Sequence, residues 1–137
     1  MCIRDRLEGI NDIGIPGAFG LGSEAVSADD IIAGHQQIIR RAHALGLRIF
    51  GGTLTPFEGT AFPGYYSAAG EAKRSAVNAW IRGSGAYDGV IDFDAAARDP
   101  SHPTRLLPAY DSGDHLHPND AGYQAMADAV NLALFRA

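Results

Sequence analysis

The sequence is poor in cysteine, in long apolar runs and in basic charge. Its one cysteine, Cys2, cannot form an internal disulfide, and no cysteine cluster exists to hold zinc or an iron–sulfur centre. No run of about 18 apolar residues occurs, so the sequence predicts no membrane span. With 16 acidic and 11 basic residues, the net charge is -5, which gives no electrostatic basis for binding nucleic acid or an anionic membrane. The expected partner is therefore a small molecule.

The composition is that of a folded chain. A length of 137 residues with 46% hydrophobic content is enough for one globular domain. The first six residues, Met1–Arg6, lack the apolar core of a signal peptide, so the sequence leaves the localisation undetermined.

Apolar periodicity predicts strands that alternate with helices, in the order β-α-β-α-β-α and without repeats or a linker. Helices are expected after Ser27, over Ala68–Ile81 and after Asn119, and strands over Leu47–Phe50 and Asp88–Asp94. The residues expected on the buried helix faces are Ile31, His35, Ile38, Ala42 and Leu45, then Ala72, Ala76, Val77 and Trp80, and finally Tyr123, Met126, Ala127, Val130 and Leu134. This alternation favours a parallel sheet covered on both faces.

The start of the chain departs from this pattern. A strand inside a parallel sheet is nearly all apolar, yet Arg4, Asp5 and Arg6 bring three charges just before Leu7. We expect residues 1–6 to be a non-native or frayed terminus, and residues 7–137 to be the C-terminal part of a single domain whose first strands are missing. Alternatively, the strand begins only at Leu7 and the charges lie in solvent. Missing strands would leave an exposed sheet edge, which predicts self-association or marginal stability.

An Asp-x-x-His pair precedes the last predicted helix. His117 stands just before Pro118 and Asn119, in a loop that could aim its side chain at a cleft. Asp114 could accept a hydrogen bond from Nδ1 of His117, which would leave Nε2 as a general base able to activate a serine. The alternative is that both residues only cap the helix.

A second short motif, Gly9-Ile-Asn11-Asp12, follows the first predicted strand. A turn made by Asn and Asp side chains explains such a tetrapeptide, with Gly9 and Asp12 as turn residues. The Asn11 amide could instead donate to a developing oxyanion. Both this motif and the Asp-x-x-His pair follow strands at their carboxyl ends, where the functional residues of open parallel sheets gather.

With these motifs the sequence resembles the SGNH (GDSL-type) hydrolases, a family of serine esterases and acylhydrolases. The resemblance rests on Gly9, Asn11, Asp12, Asp114 and His117, and runs from about Leu7 to the end of the chain. It implies a three-layer α/β/α, flavodoxin-like parallel sheet, here incomplete. It also implies that Asn11 is an oxyanion donor, Asp114 the orienting acid and His117 the base. The implied substrate is a small ester, such as an acylated carbohydrate or an aryl ester, and no cofactor is required.

The nucleophile of that family is not found in this sequence. The signature Gly-Asp-Ser lies upstream of the Asn motif in the family, and no Gly-Asp-Ser occurs here. The serines present have contexts typical of caps and loops; they are Ser23, Ser27, Ser67, Ser75, Ser84, Ser101 and Ser112. Met1–Arg6 also resembles a translated sequencing-adapter remnant of the kind found in metagenomic gene predictions. We therefore expect a truncated esterase that has little activity by itself.

Four aromatic residues lie in the loop after the predicted strand Leu47–Phe50. Phe57, Phe62, Tyr65 and Tyr66 could form a wall of the substrate pocket, or could simply pack the loop onto the sheet. Gly17–Gly22 is expected to be a flexible rim. The chain could also be a non-catalytic, degenerate α/β domain. As a further alternative, Asp114, His115 and His117 could bind a metal, although a fourth ligand is not evident and no metal site is predicted.

Overall fold

A three-stranded parallel sheet lies at the centre of the structure, a computed structural model that describes residues 3–136. The strands are β1 (Ile3–Arg6), β2 (Arg48–Gly52) and β3 (Gly89–Ile91), in the spatial order β1-β2-β3. Arg4 pairs with Ile49, and Gly51 pairs with Val90. Cys2 lies outside the described residues.

Helices connect the strands. Between β1 and β2 lie α1 (Ile10–Ala18) and α2 (Ala28–Ala44), and between β2 and β3 lies α3 (Ala68–Gly83). After β3 come α4 (Phe93–Ala97), the antiparallel pair β4 (Arg98–Asp99) and β5 (His102–Leu106), and α5 (Asp120–Asp128). Three short 3-10 turns cover Gly22–Glu24, Pro108–Tyr110 and Leu132–Phe135. Over residues 3–136, none of these helices has the length and apolar character needed to cross a membrane.

The predicted helix starts are confirmed. Ser27 and Asp30 form a reciprocal capping box, since the Asp30 N–H donates to Ser27 Oγ at 3.1 Å and the Ser27 N–H donates to Asp30 Oδ2 at 2.9 Å. Ser67 caps α3 and Asn119 caps α5 in the same way, each accepting a backbone N–H three residues later.

The two faces of the sheet are covered differently. Helices α2 and α3 pack on one face, where Ile39, Ile49 and Val77 belong to the main apolar core. On the other face the ring of Phe50 meets that of Phe135 at a centroid distance of 5.2 Å, because successive residues of a strand point to opposite sides. The expected α/β class with a parallel sheet covered on both faces is confirmed.

The first strand differs from the expectation. Residues Ile3–Arg6 are not frayed but are paired with β2 along their length, and Leu7–Gly9 lead into α1 rather than forming the strand. Among the described residues β1 pairs with β2 alone and is therefore an edge strand.

Four further elements differ from the prediction. Gly17 lies in α1 rather than in a flexible rim, and Ala72 and Ala76 are exposed on α3, where Arg74 and Asn78 are buried instead. The hairpin of β4 and β5 was not predicted, because its strands are short and carry little apolar alternation. Helix α5 ends at Asp128, and Tyr123 on it is exposed.

Candidate active site

The loop before α5 is closed at its base by backbone hydrogen bonds. Asp111 and Pro118 form an isolated antiparallel bridge, and the Ser112 N–H donates to the His117 carbonyl at 3.1 Å. The Nδ2 group of Asn119 donates to the carbonyls of Ala109 and Asp111 at 3.0 and 3.1 Å. The chain between Asp111 and Pro118 is therefore held in one shape by local contacts.

Asp114 and His117 form the pair that the sequence predicted. Nδ1 of His117 lies 2.6 Å from Asp114 Oδ2, which fixes the proton on Nδ1 and leaves Nε2 as the basic nitrogen. The other carboxylate oxygen accepts the backbone N–H groups of Leu116 and His117 at 2.9 and 2.8 Å, and the Ser112 hydroxyl at 3.0 Å. The His117 side chain is 58% exposed, so Nε2 is accessible to a reacting group.

These contacts keep the Asp114 carboxylate ionised. Partial burial by itself raises its pKa, but the hydrogen bonds from the His117 ring, the two N–H groups and the Ser112 hydroxyl outweigh burial and bring the pKa well below its ordinary value. A fixed negative charge next to Nδ1 stabilises the imidazolium that forms when Nε2 takes a proton.

A second Asp–His pair lies in the same loop and was not predicted. The His115 ring is bonded through Nδ1 to Asp111, and His115 has a left-handed backbone with φ of 57°. This pair lines a cleft of about 600 Å³ together with Glu58, Asp99 and Arg105. In the sequence this second pair appears as an Asp four residues before a His. Its residues are interleaved with those of the predicted Asp-x-x-His pair.

The two histidines therefore do not converge on one ion. Each ring is bonded through Nδ1 to its own carboxylate, His115 to Asp111 and His117 to Asp114. Within residues 3–136 no group of three or more His, Cys, Asp or Glu side chains is placed to hold a metal.

Asn11 and Asp12 lie in the first turn of α1, where the sequence had predicted a turn outside a helix. Gly9 is the N-cap, with φ of 122°, and its carbonyl accepts the Ile13 N–H at 3.2 Å. Asn11 and Asp12 are exposed and line a depression of about 200 Å³. The Asn11 side-chain oxygen accepts the Tyr65 hydroxyl at 2.7 Å.

The aromatic loop contacts both motifs. Phe57 and Tyr65 are buried, at 0% and 7% exposure, so their rings pack the loop onto the core, and Tyr66 is partly buried. Phe62 is 46% exposed, and its ring meets that of His117 edge-on at a centroid distance of 6.5 Å. Phe62 is therefore the member of the predicted aromatic wall best placed to meet a ligand beside His117.

Several of the described serine hydroxyls are hydrogen-bonded to groups other than His117. The Ser112 hydroxyl donates to Asp114, while Ser27 and Ser67 cap helices and Ser75 donates to Glu71. Within residues 3–136 no serine hydroxyl is hydrogen-bonded to the His117 ring.

Comparison with known proteins identifies the family. A profile of the GDSL-like lipase/acylhydrolase family matches residues 7–125. The chain belongs to this family. No curated protein sequence matches it.

Two solved structures resemble this GDSL-like chain. A candidate acylhydrolase from Bacteroides fragilis superposes with a TM-score of 0.76 at 19% identity, over 98% of this chain and 61% of the other. A GDSL-like lipase from Bacteroides thetaiotaomicron gives a TM-score of 0.73 at 17% identity, over 96% and 60%. At these identities the likeness shows the α/β fold. The GDSL-like chain spans about three-fifths of the length of these two proteins.

Proposed function

We propose that the chain carries the base and one oxyanion donor of a serine ester hydrolase. In this proposal His117 is the general base, Asp114 orients it, and Asn11 stabilises the tetrahedral oxyanion. The observation that carries the proposal is the 2.6 Å contact between Asp114 and Nδ1 of an exposed His117. Membership of the GDSL-like lipase/acylhydrolase family supports the same reaction class.

The reaction steps follow from these roles. Nε2 of His117 takes the proton of a serine hydroxyl while the serine oxygen attacks the ester carbonyl carbon. The carbonyl oxygen becomes negative and accepts hydrogen bonds from the Asn11 amide. The imidazolium then gives its proton to the leaving alcohol. Water hydrolyses the acyl-enzyme with His117 again as base, and no cofactor takes part in these steps.

In this proposal the nucleophile comes from outside residues 7–137. Within residues 3–136 no serine hydroxyl is hydrogen-bonded to the His117 ring, and on the family pattern the Gly-Asp-Ser motif precedes the Asn motif. We propose that residues 7–137 are the C-terminal part of one such domain, with its serine upstream of Leu7. Loss of a triad member lowers turnover by roughly a million-fold, so the 137-residue chain by itself should show almost no esterase activity.

The substrate class is a small ester. Phe62, with its exposed ring beside the base, offers a flat apolar face for an aryl ester or for the ring of an acylated carbohydrate.

The first experiment is to read the source DNA upstream of Met1 in the same frame. A Gly-Asp-Ser ahead of Leu7 supplies the serine, and the longer product should hydrolyse p-nitrophenyl acetate while the 137-residue chain should not. A genuine start at Met1, with an in-frame stop before it, would favour the alternative of a degenerate, non-catalytic domain.

Variants of the longer product test the assigned roles. We expect His117→Ala to lower kcat by roughly a million-fold and Asp114→Asn by about ten-thousand-fold. The matched control is His115→Ala, since His115 is equally exposed but is bonded to Asp111 instead of Asp114. Equal losses in His115→Ala and His117→Ala would contradict the proposal.

A further inference from the structure

The side chain of Asn11 is held by a hydrogen bond from a distant tyrosine. The Tyr65 hydroxyl donates to Asn11 Oδ1 at 2.7 Å, across a sequence separation of 54 residues. An amide carries its oxygen and its NH2 group on opposite sides of one planar unit. A donor fixed on the oxygen therefore turns the NH2 group away from Tyr65. Within residues 3–136 that NH2 group donates no hydrogen bond.

The tyrosine is itself fixed by close packing. Its ring lies on Gly14, where an added Cβ would stand 2.3 Å from Cε1 of Tyr65. The ring of Phe57, which is fully buried, meets the Tyr65 ring edge-on at a centroid distance of 6.1 Å. The position of the Tyr65 hydroxyl is therefore determined by the core.

A second close contact fixes the loop against α1. A Cβ at Gly17 would stand 2.3 Å from the Gly64 carbonyl oxygen, and a Cβ at Gly64 would stand 2.7 Å from the Gly17 oxygen. Gly64 also has φ of 76°, a conformation that favours glycine. Gly14 and Gly17 thus allow the loop to approach α1 at two points, the Tyr65 ring and the Gly64 carbonyl.

The Tyr65 hydroxyl retains its proton throughout the ordinary pH range. Burial and then the negative charge of Asp12 raise the pKa of Tyr65 above its usual value. The hydroxyl is therefore a donor wherever an esterase of this type would work.

We propose that Tyr65 is a positioning residue that orients the Asn11 amide with its NH2 group towards the developing oxyanion. The inference rests on the proposed function for the role of Asn11, while the orientation itself is independent of activity. An oxyanion donor is effective only when it is already aimed at the position that the negative charge will occupy. Tyr65 is fixed in the core and holds the Asn11 amide in this orientation without contacting the substrate.

The orientation is tested by NMR on the 15N-labelled 137-residue chain. Asn11→Asp identifies the Asn11 side-chain NH2 signals by removing them. We expect Tyr65→Phe, which keeps the ring and its packing, to shift both NH2 proton signals towards the values of an unrestrained asparagine side chain. Tyr66→Phe is the matched control and should leave them in place. Unchanged Asn11 signals in Tyr65→Phe would overturn the proposal.

Turnover of the serine-bearing product tests the consequence. We expect Tyr65→Phe to lower kcat roughly tenfold with KM unchanged, and Asn11→Ala to lower it by about a hundredfold or more. The double variant should be no slower than Asn11→Ala, because Tyr65 acts through Asn11. Additive losses, or a change in KM alone, would refute a positioning role. An unchanged kcat in Asn11→Ala would instead refute the proposed function of Asn11, whatever the NMR result.

Discussion

Replacing Arg74 by methionine should destabilise the protein by about 3 kcal/mol, the low end of the range for breaking a buried ion pair from one side. Arg74 is only 3% exposed. Its Nε and Nη2 groups donate to the Glu71 carboxylate at 2.8 and 2.7 Å, and Nη1 donates to Asp94 at 2.7 Å and to the Leu54 carbonyl at 2.8 Å. Methionine keeps the apolar stem and removes all four hydrogen bonds.

The expected cost lies at the low end of the range because each acceptor of Arg74 keeps another hydrogen-bond partner. Asp94 retains Arg82 at 2.6 Å and Arg98 at 3.3 Å, so its carboxylate does not become an unpaired buried charge. The Leu54 carbonyl retains the Nδ2 group of Asn78 at 2.8 Å. Glu71 loses both bonds to Arg74 but retains the Ser75 hydroxyl at 3.3 Å, and its side chain is 13% exposed.

Urea unfolding followed by the fluorescence of Trp80 measures the loss. With a slope of about 1.5 to 2 kcal/mol per molar urea for a chain of this size, the midpoint should fall by about 1.5 to 2 M with the slope unchanged. Arg82→Met is the control, since Arg82 also bonds Asp94 but is partly exposed, and it should cost at most about 1 kcal/mol. Equal losses in the two variants would refute the reasoning, because the difference depends on burial.

Two further predictions concern pH and assembly. Although burial by itself raises the pKa of Asp92, hydrogen bonds from Arg82, the Ala95 N–H and Thr53 lower it from 3.8 to about 2. The stabilisation that the ionised Asp92 carboxylate contributes is therefore complete above pH 4 and is lost as the pH falls towards 2. The variant Asp92→Asn retains a capping oxygen. Measured by urea unfolding, it should lower the free energy of unfolding by about 1 kcal/mol at pH 6, allowing for solvent screening of a half-exposed group. At pH 2 it should have almost no effect. The edge position of β1 predicts concentration-dependent self-association, and a monodisperse monomer across a dilution series in size-exclusion chromatography would contradict it.

Features that depend on neighbouring residues could be predicted from the sequence. The capping box of Ser27 and Asp30 joins residues three apart, and so does the contact between Asp114 and His117. In both cases backbone geometry alone brings the groups together, so residue type and spacing carry enough information. The β2 and β3 strands were predicted for a similar reason, since buried parallel strands are short apolar runs between turn residues.

The buried face of α3 shows what apolar periodicity misses. Ala72 and Ala76 seemed suited to the core by type, yet Arg74 and Asn78 occupy it. Asn78 accepts the Leu54 N–H at 2.7 Å and donates back to the Leu54 carbonyl at 2.8 Å, so it satisfies backbone groups that have left the sheet after β2. The need for these polar side chains is set by a segment 24 residues away.

The two halves of the candidate site differ in the range of the contacts that build them, and this difference has a mechanistic consequence. The proposed base, His117, and its partner Asp114 lie three residues apart within one closed loop. The Asn11 amide depends on Tyr65, which is 54 residues away and is fixed by Gly14 and Phe57. Changes to the packing of Tyr65 against Gly14 and Phe57 should therefore disturb the proposed oxyanion side while leaving the Asp114–His117 contact in place. Such variants should have a lower kcat, but the pH dependence of kcat, which His117 is proposed to set, should not change. Kinetic measurements would therefore distinguish the two halves of the site.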